Sequence, residues 1–229
     1  MIARPSSDPA GMPASPSLDL PASGFAGRGL ACRRGERLVF AGLAFTLPPG
    51  GALALTGPNG SGKSSLLRLM AGLTPSEAGV LGWDGASVRE DPAAHRARLH
   101  FIGHHDAVKP VLTVAETLAF WAGMRGGQAV APALERFGLA ALADWPCRLL
   151  SAGQRRRMAL ARLVASPAPL WLLDEPLTGL DSDAIADLAA AIAAHRAAGG
   201  LIAYSTHAPL PLDGVATLSL TDFRARTAA

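Results

Sequence analysis

Gly57-Pro58-Asn59-Gly60-Ser61-Gly62-Lys63-Ser64 has the spacing G-x-x-x-x-G-K-[ST]. Its glycines let successive backbone N–H groups turn toward one point, which suits phosphate oxygens. A helix opening at Ser64 would add the positive end of its dipole. Lys63 is then placed to reach the β- and γ-phosphates of a nucleotide, and Ser64 to ligate Mg²⁺, with the cradle running through Ser65. Lysine is scarce here. Among 21 Lys and Arg, only Lys63 and Lys109 are lysine. A lysine kept in such a background needs its compact ammonium, which arginine's planar fork does not reproduce.

A second pair of chemical groups ends an apolar run, Leu170-Trp171-Leu172-Leu173-Asp174-Glu175. Side chains alternate along a strand, so the two carboxylates point differently. Asp174 is assigned to the metal, and Glu175 to the attacking water as general base. A third feature is Leu150-Ser151-Ala152-Gly153-Gln154, ahead of a helical stretch. Ser151 suits an N-cap, and the helix start offers another anion site. One chain has no use for a second γ-phosphate site, whereas two facing chains do.

The elements that must hold these groups read as an α/β chain. Residues 1–24, rich in Pro, Ser, Ala and Gly, read as a disordered tail or an over-long gene start, with order beginning near Phe25. Residues 25–32 and 37–47 alternate like antiparallel strands. Ala52–Thr56 is a short buried strand, and Ser64–Ala71 a helix stopped at Gly72. Strands follow at 79–82, 99–103, 170–173, 201–206 and 215–220. A helical subdomain spans about 107–166, with helices at 113–124, 132–142 and 152–165. Residues 182–198 form a helix with Ser182 as N-cap, stopped by Gly199-Gly200. Strands alternating with helices point to a mostly parallel core sheet within one domain, 25–229.

Composition narrows the function. Hydrophobic residues make up 49% of 229, enough for a real core, and the formal charge is only +3. The longest basic run is Arg155-Arg156-Arg157, read as a solvated helix face, so no nucleic-acid partner is expected. Cys32 and Cys147 lack metal or disulfide spacing and are read as inert. No run reaches the 18 or so apolar residues of a membrane span, so any membrane association is peripheral, through a partner.

With these motifs in order, the chain resembles the ABC ATPases over about residues 25–220, which implies a P-loop NTPase fold with an antiparallel β subdomain and a helical subdomain. Ser151-Ala152-Gly153-Gln154 is similar to their signature loop, Thr178-Gly179-Leu180-Asp181 to their D-loop, and His207 to their switch histidine at the γ-phosphate. The resemblance implies two copies with two ATPs sandwiched between. Lys63 of one copy and Ser151, Gly153, Gln154 and Asp181 of the other would serve each nucleotide. Two slots depart from the pattern. His104 stands where the family has a glutamine, and can reach the metal through water. Arg34 stands where an aromatic stacks on adenine, and its guanidinium can stack instead.

The segments 102–116, 150–157 and 168–176 resemble one subfamily, the ATP-binding subunits of the cytochrome c maturation system. Its members carry Gly-His at this slot and a lysine soon after, which matches Lys109. That resemblance implies a cytoplasmic-face location at a bacterial inner membrane. It also implies pairing with the membrane subunit CcmB, alongside CcmC, and ATP-driven release of the haem-loaded chaperone CcmE. The rivals are an exporter ATPase with other cargo and a soluble ABC protein of repair or translation. The latter carry large insertions or two ATPase halves, and this chain has neither. A haem-ligand role for His104-His105 is disfavoured, because adjacent residues on a loop cannot both face one iron.

Overall fold

The computed structural model describes residues 20–104, 108–127, 129–208 and 210–223. Two sheets are built from nine strands in the described residues. The first is antiparallel, with β1 (Phe25–Arg34), β2 (Arg37–Leu47), β4 (Ala78–Trp83) and β5 (Ala86–Ser87) in the order β2-β1-β4-β5. The second contains β3 (Ala52–Thr56), β6 (Leu99–Ile102), β7 (Leu170–Leu173), β8 (Leu201–Ser205) and β9 (Val215–Ser219), in the order β6-β7-β8-β3-β9. Every pairing in it is parallel.

Parallel strands of this kind are covered on both faces, so their sequences run apolar without alternation. All residues of β7 and β8 are buried. On one face, α1 (Lys63–Met70) and the antiparallel sheet share a core that includes Phe25, Phe40, Leu66 and Leu170. On the other, α3 (Val114–Gly123), α4 (Val130–Arg136), α5 (Ala152–Ala165) and α6 (Ser182–Ala197) pack Leu118, Phe137, Leu160 and Ile192 against Trp171 and Tyr204.

Register decides where chemistry can happen. Ile102 lies beside Leu173, Leu173 beside Tyr204, and Leu55 beside Ser205. Four strands therefore end at one level. The residues that follow are Gly103-His104, Asp174-Glu175, Thr206-His207 and the loop from Gly57. Ligands of open parallel sheets bind at this carboxyl edge.

Several local expectations need correction. The N-cap of α6 is Asp181, whose Oδ1 accepts from Ala184 N at 2.9 Å, and Ser182 is the first helical residue. A charged acceptor at a helix N-terminus competes better than a hydroxyl. The helix expected over 132–142 stops at Arg136, because Gly138 turns left-handed (φ 62°), and only a 3₁₀ turn, Ala140–Leu142, follows. The last strand ends at Ser219 and passes into a 3₁₀ turn. Neither β5 nor the short α2 (Pro92–Ala97) was anticipated. Residues 1–19 of the expected tail lie outside the described residues. Gly24 is already paired with Asp84, donating to its carboxylate at 2.8 Å.

Candidate functional site

The loop between β3 and α1 is shaped by glycines in conformations closed to other residues. Gly57, Gly60 and Gly62 have φ of 135°, 75° and 109°. A Cβ on Gly62 would sit 2.7 Å from Val39 Cγ1, so the loop also lies hard against β2. Ser61 Oγ is buried there with no hydrogen-bond partner among the described residues. An unpaired buried hydroxyl costs about 1–3 kcal/mol, and a phosphate oxygen would relieve it.

Lys63 is only 6% exposed and donates from Nζ to Gly57 O at 2.9 Å. Glu175 Oε1 lies 4.0 Å from this ammonium, and His207 Nε2 lies 3.3 Å from it. The shortest contact of the three groups joins His207 Nε2 to Glu175 Oε1 at 3.0 Å. An Nε2–H tautomer donates along it. Two elements far apart in sequence, the ends of β7 and β8, thus bring a carboxylate and an imidazole onto the loop lysine.

Asp174 is buried. Its Oδ1 accepts from Ser64 Oγ at 3.0 Å and from Ser205 Oγ at 2.6 Å. Ser64 and Asp174 fit a shared Mg²⁺. Neighbouring corners of its octahedron, with bonds of about 2.0–2.1 Å, lie about 2.9 Å apart.

Arg34 and Ser64 border two adjoining clefts. One, of about 310 Å³, contains Asn59 to Ser65, Arg37 and Glu175. The other, of about 500 Å³, contains Phe101, His104, Trp121, Arg162 and Asp174. His104 thus shares a cleft with the metal-ligand candidates, and His105 lies outside the described residues. The guanidinium of Arg162 stacks 3.7 Å from the Trp121 ring, and burial lowers its pKa to about 10.

Ser151, Gly153, Gln154 and Asp181 line neither cleft. Ser151 is exposed and caps α5 through a reciprocal box. Its Oγ accepts from Gln154 N at 3.2 Å, and Gln154 Oε1 accepts from Ser151 N at 2.8 Å. Gly153 and the carbonyl of Gly179 are in close approach, since an added Cβ would come within 3.0 Å of it.

Two residues at the site carried no readable role. Ser205, fully buried at the end of β8, accepts from Glu175 N at 2.8 Å while donating to Asp174. A small polar residue ending an apolar run is too common to single out. Arg156 overturns the solvated-face reading of its run. It is 5% exposed and donates to the carbonyls of Gly103, Asp174 and Glu175 at 2.8, 2.8 and 2.9 Å. In α5 its position faces the sheet, one step round the helix from its half-buried neighbours Arg155 and Arg157.

Residues 40–178 match the family model described as ABC transporter. A cytochrome c biogenesis ATP-binding export protein CcmA from Paramagnetospirillum magneticum is 58% identical over 88% of this chain and 95% of its own length. Another CcmA, from Rhodospirillum rubrum, is 56% identical over 94% and 91%. The chain belongs to the ABC transporter ATP-binding family. Its fold agrees with that of a solved ATP-binding cassette, a dimer in a post-hydrolysis state bound to ADP and Pi. That match has a TM-score of 0.72 and 22% identity, over 80% of this chain and 88% of that one. Membership in the ABC family carries ATP binding and ATP hydrolysis. Among the described residues no helix is long and apolar enough to cross a membrane.

Proposed function

We propose that this chain is the ATP-hydrolysing subunit of a cytochrome c biogenesis export complex, working as a pair of identical copies. The observation that carries the hydrolytic part is the meeting of Lys63, Glu175 and His207 within 4.0 Å, beside Ser64 and Asp174. The N–H groups of residues 57–65 and the Lys63 ammonium bind the β- and γ-phosphates. Ser64 and Asp174 would hold Mg²⁺, which would supply charge neutralisation on the phosphate oxygens. Glu175 takes a proton from the attacking water as its oxygen bonds to the γ-phosphorus, and ADP departs with the bridging oxygen. His207 orients Glu175 and contacts the γ-phosphate. His104 would reach that ion through water, and Arg34 would cover the adenine.

Ser151, Gly153, Gln154 and Asp181 serve the nucleotide of the facing copy. Their position outside both clefts, with Ser151 and Asp181 exposed, supports this, as does the dimeric ADP-bound relative in fold. The export reading rests on the CcmA relatives. It brings CcmB as the membrane subunit, with CcmC and CcmE in the complex, and peripheral attachment at the cytoplasmic face of the inner membrane. Residues 104–124 are the docking patch. Exposed Val111, Phe120 and Met124 support that assignment.

Two measurements test these parts separately. Glu175→Gln is expected to bind ATP, accumulate as a dimer and stop turnover. Hydrolysis at the wild-type rate would remove the general base. Tagged protein recovered from detergent-solubilised membranes is expected to bring down the haem-handling subunits. Recovery of an unrelated permease in their place would discard the export reading and leave the ATPase intact.

A further inference from the structure

Glu175 is one of two non-glycine residues in the described chain with a left-handed backbone, at φ 50°. That conformation is strained for a residue that carries a Cβ, and it persists only where the surroundings over-determine it. The surroundings here act on both sides of the residue. Ser205 Oγ accepts the Glu175 N–H at 2.8 Å from strand β8. Arg156 Nη2 donates to Glu175 O at 2.9 Å and to Asp174 O at 2.8 Å from helix α5. The peptide groups flanking the left-handed turn are therefore pinned, and the carboxylate is aimed at His207 and Lys63.

Arg156 has a second attachment. Its Nη1 donates to Gly103 O at 2.8 Å, next to His104 at the end of β6. It also sits two residues after Gln154, in the helix that Ser151 caps. One buried guanidinium thus ties three things together: the helix behind Ser151-Ala152-Gly153-Gln154, the strand end that presents His104, and the backbone of the Asp174-Glu175 pair. Arginine suits this task because its planar fork holds several acceptors in fixed directions, which a lysine ammonium cannot.

We infer that Arg156 is a positioning residue for hydrolysis. It holds Glu175 in its left-handed, water-facing conformation and makes that conformation depend on the placement of α5. Ser205 is its counterpart on the other side of the peptide. This inference rests on Glu175 being the general base. Displacing a catalytic group by about 1 Å can cost about 100-fold in rate, so the loss appears in kcat while ATP binding stays intact.

Five variants, Glu175→Gln among them, are compared with the wild type for ATP affinity, measured with a fluorescent ATP analogue, and for kcat and KM. Arg156→Gln and Ser205→Ala are expected to lower kcat about tenfold or more, with affinity changed less than about twofold. Arg156→Lys, which keeps the charge and fewer of the hydrogen bonds, is expected to fall between. In a Glu175→Gln background, Arg156→Gln is expected to leave ATP affinity and the ATP-trapped dimer unchanged, because its action runs through that carboxylate. Thermal melting of each variant separates unfolding from mispositioning. If Arg156→Gln unfolds, Ser205→Ala and Arg156→Lys carry the test. Wild-type kcat in folded Ser205→Ala and Arg156→Lys would overturn the inference while leaving Glu175 as base. Wild-type hydrolysis by Glu175→Gln would instead overturn the base assignment itself.

Discussion

Lys63 is held by a small space. Its Nζ is 2.9 Å from the Gly57 carbonyl, with Glu175 and His207 close on another side, and the residue is buried. A guanidinium is wider than an ammonium, and its five donors are fixed in a plane. Lys63→Arg is therefore expected to preserve the fold and the charge yet weaken ATP binding strongly, as Lys63→Ala is expected to do. Equilibrium binding of a fluorescent ATP analogue reads this, and wild-type affinity in Lys63→Arg would show that charge alone suffices. The scarcity of lysine in the chain already pointed at this residue. The neighbouring roles of Ser205 and Arg156 were not readable. Their partners lie on residues distant in sequence, the Asp174 carboxylate for Ser205 and otherwise backbone groups, and a backbone group leaves no mark in a sequence. A three-arginine run reads as surface, since which of the three faces inward depends on how α5 is rotated against the sheet.

At the scale of elements, local signals were the readable ones. The N-cap at Ser151, the apolar runs of β3, β7 and β8, and the strand–loop–helix around Lys63 each lie within a few consecutive residues. The misread N-cap at Ser182 and the broken helix at Gly138 turned on finer competition, between adjacent capping side chains and between helix propensity and a left-handed glycine. Contact between elements stayed hidden, and the phosphate loop shows why it matters. Gly60 and Gly62 are both left-handed, but a Cβ on Gly60 meets nothing within 4 Å, whereas one on Gly62 strikes Val39 and Phe40 of β2. Gly60→Ala is expected to cost about 1 kcal/mol of stability from backbone strain alone. Gly62→Ala adds a steric term, because two packed side chains must shift. Denaturant midpoints distinguish the two, and equal losses would mean that β2 yields freely to the loop.

Three histidines are packed into the body of the molecule, and burial is the first cause of lowered proton affinity in each: His95, His100 and His195. Trp83 Nε1 donates to His95 Nδ1 at 3.0 Å, which requires an unprotonated Nδ1, and His195 stacks on Trp171 at 3.9 Å. His100 on β6 is the most shifted. It is 1% exposed, contacts the Ser166 carbonyl at 3.0 Å, and faces Arg125 and Arg162, which add to the burial effect; its pKa falls from 6.5 to about 4. The unfolded chain takes up protons near pH 6.5, while the folded His100 waits until about pH 4. Between those values the unfolded state binds more protons, so stability declines as the pH falls through that window and is fully present above it. For His100 the effect is on the order of 3 kcal/mol at the acid end. Urea unfolding at pH 7.5 and pH 5 is expected to show the loss, and His100→Gln to show a shallower dependence between the same two values. Carboxylates shared by both proteins cancel in that comparison. A variant as pH-sensitive as the wild type would remove His100 from the account and leave the acid sensitivity to other groups.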